Sequence, residues 1–194
     1  KGNVVRPREE DDVIDFWWAS PTRAVYTVGT RMGGYDSPLA TGELFAVNAD
    51  GGGTALLYGY RKGGMNTGSL IQHTVAARGT AEFIAAIPDD AHHMLVAISS
   101  WDAAGSEGNL PIAYRMDVRN GDMTRIVAAP MRNTHFVADH KGRIRFVYGE
   151  DTTGNVKVFQ HPGDGLGWEP RPEIEAQRAT PITFNRNNKA ACIE

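Results

Sequence analysis

The feature that most limits how this chain can fold is a recurring unit: an apolar strand, a tight polar turn, then a second apolar strand. It occurs at residues 13–28 (VIDFWWASPTRAVYTV), 82–98 (EFIAAIPDDAHHMLVAI), 134–148 (THFVADHKGRIRFVY) and 181–193 (PITFNRNNKAACI). Repetition at a spacing of a few tens of residues marks an architecture whose units bury their apolar faces against their neighbours. Arg23, His93, Arg143 and Lys189 hold matching places after the turns. From 23 to 93 is 70 residues, from 93 to 143 is 50, and from 143 to 189 is 46. Four-stranded propeller blades repeat at roughly 40–50 residues, so the first interval carries an insertion.

Each turn has its own chemistry. Ser20-Pro21-Thr22-Arg23 uses proline to set φ and a short polar residue to hold the first corner. Pro88-Asp89-Asp90, residues 139–143 (DHKGR) and residues 185–189 (NRNNK) do the same work. A second hairpin follows each of the first three units. Residues 43–47 meet 55–58 across 48–53 (NADGGG), residues 112–117 meet 124–127 across 119–122 (RNGD), and 156–160 leads into 162–165 (PGDG). Asn-Gly and Asp-Gly pairs accept the positive φ that tight hairpins need.

Strand–turn–strand–loop–strand–turn–strand is one antiparallel blade. The expected fold is therefore all-β, a partial β-propeller of about three and a half four-stranded blades. Residues 1–194 read as one propeller fragment, with blades near 11–60, 81–128 and 133–170 and an incomplete one at 180–194. Residues 61–79 read as an inserted surface loop, and 31–42, 101–111 and 150–155 as loops between strand pairs. Only 173–178 (EIEAQR) carries a helical signal, confined by Pro170, Pro172 and Pro181. Residues 13–18, apolar on both faces of a strand, predict burial on both sides between neighbouring sheets.

Totals narrow the function classes. The chain has 194 residues, 41% of them hydrophobic, and a net charge of −3. That balance lacks the basic footprint of a nucleic-acid partner. No apolar run reaches the roughly 18 residues of a membrane span. Cys192 is the only cysteine, so no intrachain disulfide or thiolate metal cage can form. This suits the cytosol and equally a periplasmic or secreted protein. The chain starts Lys-Gly and reads as a processed or excised piece.

No reaction centre emerges, and no catalytic, cofactor or metal residue is nominated. Ser20, Ser37, Ser69, Ser99, Ser100 and Ser106 all lack the G-x-S-x-G context of a hydrolase nucleophile. His92-His93 sits in a turn without a zinc spacing, and His73, His135, His140 and His161 are scattered. Glu9-Glu10-Asp11-Asp12 and Asp89-Asp90 lack the ligand alternation of a calcium loop and read as solvated charge. Residues 48–53 lack the Lys-Ser/Thr and the helix of a phosphate loop. Trp17 and Trp18 read as filling between blades, while Trp101 and Trp168 lie in or beside loops, where an aromatic serves recognition or caps a core. Arg31, Arg61, Lys62 and Arg132 are loop cations able to meet a carboxylate, and the sequence does not choose among them.

The repeats resemble the non-catalytic propeller of the prolyl oligopeptidase family of serine peptidases. There a Ser-Pro-Asp-Gly-Lys turn is followed by a Leu-Tyr-Val-x-Asp-x-x-x-Gly hairpin. Residues 44–51 and 114–121 keep the second element well, and Ser20–Arg23, Pro88–Asp90 and Asp139–Arg143 keep the first loosely. The resemblance implies a ring that restricts access of peptide substrates to an α/β-hydrolase domain of the same parent protein. The family's catalytic Ser, Asp and His belong to that domain and have no counterpart here. Similar turns occur in propellers of the TolB type, which implies the alternative of a protein–protein interaction module without catalysis. Open blade edges predict self-association of the isolated chain.

Overall fold

The computed structural model describes residues 7–64, 77–102, 109–163 and 167–194. Strands dominate them. The first sheet contains β1 (Asp11–Ser20), β2 (Arg23–Thr30), β3 (Leu39–Asn48) and β4 (Ala55–Tyr58). The second contains β5 (Gly79–Ala86), β6 (His93–Ser100), β7 (Ile112–Asp117) and β8 (Met123–Ala128). The third contains β9 (Thr134–Ala138), β10 (Ile144–Glu150), β11 (Val156–Gln160) and the two-residue β12 (Glu169–Pro170). A final hairpin pairs β13 (Pro181–Phe184) with β14 (Ala191–Ile193). Within every sheet the strands are antiparallel and adjacent in chain order. Three full blades and a half blade result, as the repeat pattern predicts. Among the described residues one α-helix, α1 (Pro172–Glu175), forms a single turn that overlaps the stretch expected to be helical, 173–178. The inserted-loop reading of 61–79 rests mostly on residues 65–76, outside the described residues.

Turn side chains explain where the strands end. The Asp139 carboxylate accepts from the backbone N–H groups of Lys141 and Arg143. Asn185 Oδ1 accepts from Lys189 and Ala190, and Asp90 from His92 and His93. A short polar side chain thus replaces the ladder bonds that the corner breaks.

The blades surround an axis because β1 contacts β5, β5 contacts β9, and β9 contacts β13. Alternation of side chains along each strand supplies two faces for packing. Met94, Val96 and Ile98 of β6 face the first sheet and join Val25, Leu44 and Leu57. Leu95 and Ala97, one residue out of phase, face the third sheet with Phe136, Ile144 and Val147. Val137, Phe146 and Val158 meet Phe184 of the last hairpin. Polar ties cross the same seams. The Arg23 Nε–H donates to the Val118 carbonyl at 2.5 Å, and the Trp168 Nε1–H donates to that of Ala128 at 2.7 Å. The backbone N–H of His140 donates to Asn188 Oδ1 at 2.9 Å, and its ring Nε2 lies 2.9 Å from the Phe184 carbonyl oxygen.

The expectation for residues 13–18 needs correction. Register puts Trp17 opposite Val25, on the face toward the second sheet, where it stacks on Phe83 at 5.3 Å. Phe16 opposite Tyr26, and Trp18 opposite Ala24, lie on the other face and are 63% and 53% exposed. Among the described residues no sheet covers that face. Burial on both sides belongs instead to β6, because the second sheet has neighbours on both of its faces. Only Trp17 of the tryptophan pair therefore fills a seam between blades.

Candidate functional site

Antiparallel order gathers the loops after β2, β6 and β10 at one end of the blades, together with the connections from sheet to sheet. At that end a cleft of about 610 Å³ opens between the second and third sheets. Its size falls within the range of small-molecule sites.

Its walls come from strand ends and two connections. Ser99 and Ser100 end β6, and Trp101 follows directly. The Trp101 Nε1–H donates to Thr80 Oγ1 at 3.1 Å and its backbone N–H to the Arg78 carbonyl at 3.0 Å, which fixes the indole beside β5. On the opposite wall the connection from β8 to β9 presents Arg132 and Asn133. Asn133 has φ of +52°, a conformation that asparagine tolerates better than most residues. Gly149 makes that path available: a Cβ there would fall 2.1 Å from the Asn133 carbonyl oxygen. The Ala129 N–H bonds the Pro111 carbonyl at 2.8 Å and holds the connection from the other side.

Glu82 on β5 and His135 on β9 close the cleft across the seam. Glu82 Oε1 lies 2.8 Å from His135 Nδ1, and Tyr148 packs on the imidazole with centroids 5.5 Å apart. The hydrogen bond to Glu82 raises the His135 pKa despite partial burial. Asn109 completes the lining with a buried Oδ1 that has no hydrogen-bond partner among the described residues.

Of the four loop cations, three are engaged elsewhere. Arg31 pairs with Asp12 at 2.8 Å. Arg61 bonds Asp11 at 2.6 Å and is also bonded to Glu43, whose side chain has no solvent exposure. Lys62 donates to the carbonyls of Leu57 and Asn120 at 3.0 Å each, and burial lowers its pKa. Arg132 makes no hydrogen bond or ion pair with the described residues, and it faces the cleft.

The remaining candidates resolve into structure. Asp11 is not solvated charge. Burial would raise its pKa, but hydrogen bonds from Thr30 and Arg61 outweigh that and hold it below the usual range. Asp90 is held low as well, since hydrogen bonds from His93 and Arg115 outweigh its burial. That makes His93 part of a turn cap, while His92 remains exposed. Residues 48–53 form a hairpin turn in which Asp50 Oδ1 accepts from Gly52. Trp168 caps the core between the second and third sheets. Ser99 and Ser100 line the cleft but bond no histidine among the described residues; Ser69, Ser106 and His73 lie outside those residues. No group of three or more His, Cys, Asp or Glu able to hold a metal converges among the described residues.

Sequence reasoning missed Glu82, the role of His135, and Asn109. A signal did exist for the first two. Each directly precedes a phenylalanine whose strand partner is a valine: Phe83 opposite Val96, and Phe136 opposite Val147. Opposite charges at matching repeat positions in adjacent blades are candidates to pair across the seam. No family model, curated protein or solved structure matches this chain.

Proposed function

We propose that this chain is the non-catalytic propeller portion of a serine-type hydrolase resembling the prolyl oligopeptidase family. In this reading the ring restricts access to a hydrolase domain outside this chain, and the cleft between the second and third sheets helps hold peptide substrate. The observation that carries the binding role is Arg132: of the four loop cations it alone lacks a partner among the described residues, and it lines the cleft. A guanidinium without a counter-charge, beside an exposed indole, suits a ligand that is part anionic and part apolar.

The test is titration of the 194-residue chain with a short peptide, followed through backbone amide resonances. Shifts are expected at Ser99, Ser100, Thr134 and His135, and are expected to vanish in Arg132→Gln. A serine-directed fluorophosphonate is expected to leave the chain unlabelled. Covalent labelling contradicts the non-catalytic role.

A second reading is an interaction module similar to the TolB type. The exposed Ile14, Phe16 and Trp18 on one face of the first sheet favour it. The reading frame of the parent protein separates the two. A G-x-S-x-G elbow followed by Asp and His supports the hydrolase, whereas further blades alone support the module.

A further inference from the structure

The charges of the cleft do not cancel. Among the described lining residues Glu82 is the one carboxylate, and His135 Nδ1 already occupies it at 2.8 Å. Arg132 has no such counterpart among the described residues. His135 Nε2 makes no hydrogen bond there, so a protonated ring offers Nε2–H as a further donor. Trp101 is 45% exposed, its N–H is tied to Thr80 and its ring centroid lies 6.5 Å from that of Tyr60, so the rest of its ring surface is what it has left to offer.

Resting on the peptide-binding reading above, we propose that the cleft recognises the C-terminal end of a peptide. The free carboxylate lies against Arg132 and His135 Nε2, and the terminal apolar side chain covers Trp101. An N-terminal ammonium finds no free carboxylate among the described lining residues, because Glu82 is engaged. The polarity of the bound peptide follows from that one ion pair.

The experiment compares acetyl-Ala-Ala-Phe with its C-terminal amide, binding each to the whole 194-residue chain by calorimetry. The acid is expected to bind about tenfold or more tightly than the amide, as for a charge-assisted pair. Arg132→Gln removes that preference and Arg132→Lys retains part of it. Affinity for the acid falls as pH rises through the His135 value, because the neutral ring that donates from Nδ1 to Glu82 turns a lone pair toward the ligand. The groups that share the cleft wall with or pack on His135 are Glu82 of β5, Tyr148 of β10 and Arg132 of the preceding connection. Equal binding of acid and amide overturns the polarity while leaving peptide capture intact. Binding of neither overturns both. Displacement of the acid by inorganic phosphate at equal concentration reduces the site to a general anion site and also overturns the assignment.

Discussion

Glu82 Oε1 and His135 Nδ1 lie 2.8 Å apart across the seam between the second and third sheets, at matching positions of adjacent repeats. The hydrogen bond raises the His135 pKa. A raised histidine contributes stability that is fully present below its unfolded value, about 6.5, and is lost as pH climbs through the folded value. Both side chains are about half exposed, Glu82 at 50% and His135 at 55%, so solvent screening limits the effect to roughly 0.2–1 kcal/mol. Urea midpoints of wild type and Glu82→Gln should therefore differ near pH ~5.5 and converge near pH ~8.5. A gap that does not change with pH contradicts the linkage.

Arg61, just after β4, joins Asp11 and Glu43. Glu43 is wholly buried and Asp11 nearly so. Arg61→Met leaves a buried carboxylate without its cation and should cost about 3–5 kcal/mol. The double variant Glu43→Leu/Arg61→Met should be less destabilised than Arg61→Met alone, because the buried charge leaves with its partner. Chemical denaturation of the single and double variants closes the cycle. Simple addition of the two single losses would refute the coupling.

Gly149 tests how closely the fold controls the cleft. Adding a methyl group against the Asn133 carbonyl forces the connection that carries Arg132 to move. Gly149→Ala should lose about 1–3 kcal/mol and shift the amide resonances of residues 131–135. It should also weaken peptide binding. Wild-type affinity in a folded Gly149→Ala variant would show that Arg132 is not held in place by this contact.

Gly121 is a positional control away from the cleft. Its φ is +79°, and a Cβ there would lie 2.2 Å from the Leu57 carbonyl oxygen, on the first sheet. Gly121→Ala combines backbone strain of about 1–3 kcal/mol with a clash across the first seam. It should lower the thermal midpoint while leaving the acid-over-amide preference unchanged at temperatures where the chain is folded.

Phe16 and Trp18 share the face of the first sheet that no other described sheet covers, in rows with Tyr26 and Ala24. Their exposure predicts concentration-dependent self-association of the chain produced alone. Phe16→Glu/Trp18→Glu should restore a single slow boundary in sedimentation velocity. A wild-type chain that stays monomeric at high concentration would count against association through this face.

Much of the fold is local and therefore legible. Asp139, Asn185 and Asp90 cap their own corners with their own side chains, so the strand–turn–strand rhythm can be read residue by residue. Alternating apolar residues also mark which segments are strands. They do not mark which faces are covered. Residues 13–18 and β6 look equally apolar along the chain, yet Phe16 and Trp18 are exposed while residues 94–98 are buried on both sides.

The cleft shows the same division. Arg31, Arg61, Lys62 and Arg132 are equivalent as loop cations, and nothing within a few residues of each tells them apart. Tertiary folding brings Asp12 to Arg31, Glu43 to Arg61 and backbone carbonyls to Lys62, and brings no partner to Arg132 among the described residues. The chain alone determined the strands, the turns and the number of blades, because hydrogen bonding and side-chain alternation act over a few residues. Tertiary structure decided which surfaces stay open and which charge stays free, because both depend on groups separated by tens of residues that meet only when blades stack.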